Sequence, residues 1–211
     1  DPFQGAVLAK FARETLKAQR AAILTSVNNP YSVGISKVFR EKFTEAGGVI
    51  AIEQRHSEGD KDFRAQLTAI KAAKPDAIYV FLPGGMGVNF VKQFSQAGLM
   101  KKLPLLSAFT VDGTTLPSLR DAAVGSVSGA MWDVALKTPG NTEFIAAFRK
   151  KYDRTPSLYA AVGYDTARLL DIAVKKVNGK TENKAAFVAA VKAAGSELKS
   201  VRGPFSFNTN N

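Results

Sequence analysis

Four short runs rich in β-branched and aromatic residues recur along the first part of the chain: RAAILTS from Arg20, VIAIEQR from Val49, AIYVFL from Ala77 and PLLSAF from Pro104. Each is followed by apolar residues at helical spacing, so successive strands cannot be joined by tight hairpins. They must run parallel, linked by right-handed crossovers, with helices on both faces of the sheet. A fifth run, SVSGAMW, ends the series near Trp132. The expected fold is therefore α/β, a doubly wound parallel five-stranded sheet. Ligands bind such sheets outside the carboxyl ends of the strands, which directs attention to the loops after Ser26, Arg55, Leu82 and Phe109.

The spacing predicts helices over 6–18, 32–46, 62–73 and 86–97. Val33, Ile35, Val38, Phe39 and Phe43 form the apolar set of the second, and Gly47-Gly48 stops it. Phe63, Leu67 and Ile70 share a face of the third, for which Asp60 or Asp62 is the expected N-cap. After Trp132 the pattern changes. DVALKTPGN reads as a linker, and TEFIAAFRKKY, SLYAAVGYDTARLLDIAVKKV and NKAAFVAAVKAA are helical segments with no strand between them. Such helices cannot extend the first sheet and must cover some other surface. SVRGPFSFNTNN, with alternating Val201, Phe205 and Phe207, reads as a small terminal β-hairpin. The expected division is 1–132 and 133–211.

A composition of 45% hydrophobic and 22% charged residues is that of an ordinary globular chain, with no apolar run long enough to span a bilayer. The chain opens without a charged-then-apolar leader, so an export signal is expected to have been removed or never to have existed. The absence of cysteine excludes disulfides, thiolate metal sites and cysteine nucleophiles, and leaves the compartment open. The net charge of +11 comes from 29 Lys and Arg against 18 Asp and Glu. It is scattered in short runs such as Lys101-Lys102, Arg149-Lys150-Lys151 and Lys175-Lys176, the pattern of solvated surface; a docking partner ranks next and nucleic acid last.

The glycines of LPGGMGVNF suggest a phosphate-binding turn, but the third glycine of the dinucleotide fingerprint would fall at Phe90 and no Gly-Lys-Ser/Thr follows. A tight strand-to-helix turn open to a ligand is the simpler reading. His56, the only histidine, follows the second strand in a polar turn and is expected to face solvent. No G-x-S-x-G elbow accompanies it. Glu53, Glu58, Asp60 and Asp62 are too sparse in oxygen ligands for calcium and fit turns and caps. In NNPYS, Pro30 can open a helix, Asn28 and Asn29 favour a turn, and Tyr31 presents a ring at the sheet edge.

Several segments carry a wider pattern: NNPYSVGISKVFREKFTEAGG, GDKDFRAQLTAIKAAKPDAIYV, FSQAGL, YAAVGYDTARLLDIAV and GPFSFNTN. In order and spacing, the chain resembles extracellular solute-binding proteins of the leucine/isoleucine/valine-binding type, the periplasmic receptors of ABC importers. The resemblance implies two α/β lobes closing on a ligand like a clamp. Residues 1–132 would be the second lobe, and 133–211 the returning helices and terminal hairpin of an incomplete first lobe. It implies that Tyr31 reaches into the cleft and that Leu82-Pro83-Gly84 forms a second pocket wall. Amino-acid binders of the family use an acidic residue after the fourth strand to hold the ligand's ammonium group. Phe109 stands there, with Asp112 three residues on. A phenyl ring cannot replace a carboxylate as partner of a buried cation, so an aromatic or branched aliphatic carboxylate is expected instead of an amino acid. The candidate ligand-binding residues are Asn29, Tyr31, Leu82, Pro83, Gly84, Phe109, Thr110 and Asp112. The resemblance also implies a periplasmic location and, as partners, a small-molecule solute and the permease and ATPase of an ABC importer. No catalytic residue, cofactor, metal, nucleic acid or membrane span is expected; a ligand-sensing receptor module of the same fold is the alternative.

Overall fold

The structure, a computed structural model, describes residues 2–208. The chain divides into two compact units meeting at the Ala130/Met131 junction.

The first unit contains β1 (Arg20–Ser26), β2 (Val49–His56), β3 (Ala77–Phe81), β4 (Leu105–Ala108) and β5 (Val127–Gly129), all parallel, in the order β2-β1-β3-β4-β5. Its helices are α1 (Pro2–Glu14), α2 (Pro30–Glu45), α3 (Arg64–Ala73), α4 (Gly85–Gln96) and the single-turn α5 (Leu116–Leu119), which runs into a 3-10 turn at Arg120–Ala123. Alternation along the central strands builds two cores. Ala21, Ile23, Ala77, Tyr79 and Phe81 meet Leu8, Ile35, Phe39 and Phe43 of α1 and α2. Ala22, Leu24, Ile78, Val80 and Leu82 meet Leu67, Ile70, Phe90 and Phe94 of α3 and α4. A sheet apolar on both faces is what parallel strands under two helical layers require. Within α2, Ile35, Phe39 and Phe43 are buried one turn apart, whereas Val33 of the expected apolar set is 46% exposed.

Three further expectations are corrected. His56 is 4% exposed, with Phe63 packed edge-on against it and Nδ1 2.9 Å from the Ser57 carbonyl oxygen. Placement at the end of β2, under α3, outweighs its polar sequence neighbours. The N-cap of α3 is Phe63, not Asp60 or Asp62. Asp62 instead accepts from the Arg64 N–H at 3.1 Å and Asp60 from the Ser57 N–H at 2.9 Å, each tying a turn before the helix. Residues 201–208 hold a turn and irregular chain with no strand; 209–211 of the expected hairpin lie outside the described residues.

The second unit has α6 (Pro139–Tyr152), α7 (Leu158–Lys176) and α8 (Lys184–Glu197), opened by the N-caps Thr138, Ser157 and Asn183. Ala173, Ala190 and Ala194 allow α7 and α8 to approach closely. Trp132 donates its indole N–H to Asn141 Oδ1 at 2.7 Å, and Asp165, 2% exposed, gathers donors from the chain at 200–202. No helix among the described residues is long and apolar enough to cross a membrane.

Candidate functional site

The strand register brings the carboxyl ends together: Ser26 pairs with His56, and Phe81 with Ala108. Strand order reverses between β1 and β3, the place where open α/β sheets form a crevice. Three aromatic rings converge there. Tyr31, in the first turn of α2, lies 5.0 Å from Phe81, the last residue of β3, and 6.0 Å from Phe109, which follows β4. Phe81 and Phe109 meet edge to face at 5.9 Å. Tyr31 and Phe109 are both half-buried, and Phe81 behind them is 6% exposed.

Each ring is held by identifiable chemistry. Asn29 caps α2 by accepting from the Ser32 N–H at 3.0 Å, and Pro30 supplies the preset backbone angle of the first turn, so Tyr31 leaves the sheet edge at a fixed angle. The Asn29 amide also donates to Glu58 at 2.6 Å, joining the loops after β1 and β2. The Tyr31 hydroxyl donates to Gln4 Oε1 at 3.4 Å, and Gln4 Nε2 in turn donates to the Gly129 carbonyl at 3.0 Å. Partial burial raises the Tyr31 pKa above its ordinary value, so the phenol stays neutral at physiological pH. Phe109 sits at φ 52°, a left-handed conformation that a phenylalanine adopts only where its surroundings fix it.

The other candidate positions mostly shape the loops. Leu82 and Thr110 are buried, and the Leu82 N–H donates to Thr110 Oγ1 at 2.9 Å, pinning the loop after β3 to the loop after β4. Gly84 has φ 63° and ψ −135°, backbone open essentially to glycine alone, with open space where a Cβ would point. Gly87 is different in kind: a Cβ there would lie 2.2 Å from the Leu82 carbonyl oxygen and 3.0 Å from Thr110 Cγ2, so α4 can approach both loops only without a side chain. Half-buried Pro83 stands between these constraints. The glycines of this turn therefore serve geometry and backbone approach.

Asp112 is committed to its own turn. Oδ1 accepts from the Thr114 N–H at 2.7 Å and the Thr114 hydroxyl at 2.6 Å, and the carboxylate is 9% exposed. Its second oxygen, Oδ2, is buried with no hydrogen-bond partner. Among the described residues, no group of three His, Cys, Asp or Glu side chains is arranged to hold a metal. The site can thus offer aromatic faces and edges to an apolar ligand. Phe81 and Gln4 were not singled out from the sequence; the signal for Phe81 was its place at the end of β3, visible once the reversal of strand order is known.

Comparison with known proteins agrees with this architecture. The chain is 29% identical to Leu/Ile/Val-binding protein homolog 6 of Brucella melitensis over 192 residues, 87% of this chain and 48% of that protein. It superposes on a leucine-binding protein of Thermotoga maritima with a TM-score of 0.89 at 28% identity, covering 100% of this chain and 59% of that one. An ABC-transporter solute-binding protein of Rhodopseudomonas palustris, solved with 3,4-dihydroxybenzoic acid, gives 0.86 at 33% identity, with 99% and 57% covered. The chain spans about half the length of the curated relatives it matches. With the family model for periplasmic binding proteins matching residues 3–211, the chain belongs to the periplasmic binding protein family.

Proposed function

We propose that the first unit is one jaw of the solute-binding component of an ABC importer, and that Tyr31 and Phe109, backed by the buried Phe81, form its ligand-facing surface. The remaining candidates, Asn29, Leu82, Pro83, Gly84, Thr110 and Asp112, set the loops that carry these rings. The complete protein would capture solute in the periplasm, where its family operates outside the cytoplasmic membrane, and present it to a permease and its ATPase. Capture follows from differential binding: a ligand that touches both jaws stabilises the closed form, and the permease recognises that form. The second unit belongs, in this reading, to the returning part of the other lobe.

The observation that carries the choice of ligand is the aromatic trio, with a phenyl ring and not a carboxylate at Phe109. An amino acid would leave its ammonium group against rings, a costly burial, because Asp112 Oδ1 is held by Thr114 and its unpartnered Oδ2 is buried away from solvent. A planar aromatic carboxylate suits a cluster in which Phe109 meets Tyr31 and Phe81 edge to face, with a branched aliphatic carboxylate second. The relative solved with 3,4-dihydroxybenzoic acid supports the same class.

Calorimetric titration of the complete protein tests this reading. Benzoate or 4-hydroxybenzoate should bind at least about tenfold more tightly than leucine or isoleucine, a gap of about 1.4 kcal/mol. Tighter binding of leucine would overturn the ligand assignment, and binding of neither class would remove its support.

A further inference from the structure

The opposite edge of the same sheet, where the strands begin, is built on other chemistry. The last turn of α3 and the loops entering β1, β3 and β4 carry Lys17, Arg20, Lys71, Lys74, Lys101 and Lys102, all exposed. None of the six takes part in an ion pair among the described residues. The carboxylate among them, Asp76, accepts from the Gln19 and Arg20 backbone N–H groups at 2.8 Å each and so starts β1. Nearby Glu14 and Glu45 are matched by Lys10 and Lys42. At the aromatic edge the excess of cations is gone: the strand ends and loops there hold Glu58, Asp60, Asp62 and Asp112 against Arg55, Lys61 and Arg64. The charge of this unit is polarised along the strands.

Because β1, β3 and β4 are neighbours in the sheet, these cations line one face of the unit, not one point. Two apolar side chains flank them at the outer strands. Val49, opening β2, is 56% exposed, and Val124, ahead of β5, is 72% exposed.

We propose that this edge is a docking surface for anionic phospholipid headgroups. Lysine supplies five of the six charges, and an ammonium on a flexible stem is a hydrated point charge suited to a diffuse anionic surface. Protein interfaces favour arginine and aromatic residues and are depleted in lysine, and this edge shows the lysine-rich pattern. The exposed valines add shallow apolar contact, which combines with electrostatic attraction at a bilayer interface. The seven residues of β1 separate this edge from the aromatic trio by about 23 Å, so lipid contact leaves the ligand-facing loops free. The surface does not depend on the ligand assignment.

Cosedimentation of the complete protein with vesicles tests the proposal. Mixed phosphatidylglycerol and phosphatidylcholine vesicles should retain the protein, phosphatidylcholine alone should not, and retention should collapse between about 50 and about 500 mM salt. Lys74→Gln, Lys101→Gln and Lys102→Gln together should weaken partitioning by about 100-fold, roughly fivefold per lysine. A control with the same charge change elsewhere, Lys37→Gln, Lys92→Gln and Lys150→Gln, should stay within about threefold of the parent. Unchanged melting temperatures establish that both variants are folded; should the first fail to fold, the pair Lys101→Gln and Lys102→Gln repeats the test with about 25-fold weakening. Equal losses in patch and control variants would reduce the effect to net charge and overturn the proposal. So would absence of binding to the anionic vesicles, or retention only when the permease is present in neutral lipid, which would make the partner a protein. Ligand affinity, measured in parallel, should be unaffected by the patch variants.

Discussion

Phe109→Glu is expected to weaken binding of an aromatic carboxylate to the complete protein by about 100-fold, about 2.7 kcal/mol. Two effects add. The substitution removes edge-to-face pairs with Tyr31 at 6.0 Å and Phe81 at 5.9 Å, each worth about 0.5–1.5 kcal/mol. It also sets a negative charge against a ligand of the same sign in a site partly withdrawn from water. The same carboxylate would restore the ammonium partner that Phe109 lacks, so leucine affinity should rise as aromatic-acid affinity falls. Phe109→Leu separates the terms: it keeps an apolar side chain and adds no charge, and should cost less than about tenfold. Calorimetry on the three proteins reads both effects. Unchanged aromatic-acid affinity in Phe109→Glu would show that this ring does not face the ligand.

The largest stability effect is expected at Asp165. Its carboxylate accepts from Arg202 Nε at 3.0 Å, the Val201 N–H at 3.1 Å and the Ser200 hydroxyl, and its side chain is 3% exposed. Removing one member of a buried pair leaves the other charge and the backbone donor uncompensated, at a cost of about 3–5 kcal/mol. Arg202 retains 27% exposure and can recover some hydration, which places the expected loss for Asp165→Ala at the lower end, about 3 kcal/mol. Asp165→Asn keeps one acceptor oxygen, enough for the Val201 N–H but not also for Ser200 and Arg202, and should cost less than Asp165→Ala. Urea unfolding followed by the fluorescence of Trp132, which lies in the same unit, measures the change. A midpoint unmoved by Asp165→Ala would mean that the segment 200–202 is not held by this cluster.

How much of this was legible in the sequence depended on which physical signal each element carries. β1 and β3 are apolar on both faces because helices cover both, and such runs announce themselves. Helix ends were less legible. α1 begins at Pro2 and ends at Glu14, displaced from 6–18, because the fraying and capping that set boundaries depend on local backbone geometry more than on periodicity. His56 was misread because hydropathy of its neighbours SEGD said surface, while burial came from Phe63 folding over the strand end. The expected hairpin near Gly203-Pro204 failed because the alternating Val201 and Phe205 have no partner strand among the described residues. At the site, resemblance pointed to Tyr31 and Phe109, and the sheet order explains why they meet: Tyr31 follows β1 and Phe109 follows β4, on either side of β3, whose last residue Phe81 packs against both. Phe81 and Gln4 come from separate parts of the chain and join them only through tertiary packing. The commitment of Asp112 to Thr114 likewise belongs to turn geometry that spacing alone leaves open.

The most direct measurement is a crystal structure of the complete protein with the acid that binds most tightly. The ligand ring should lie within van der Waals contact of Tyr31, Phe81 and Phe109 at the strand ends. A ligand bound elsewhere, with Tyr31 and Phe109 out of contact with it, would contradict the account.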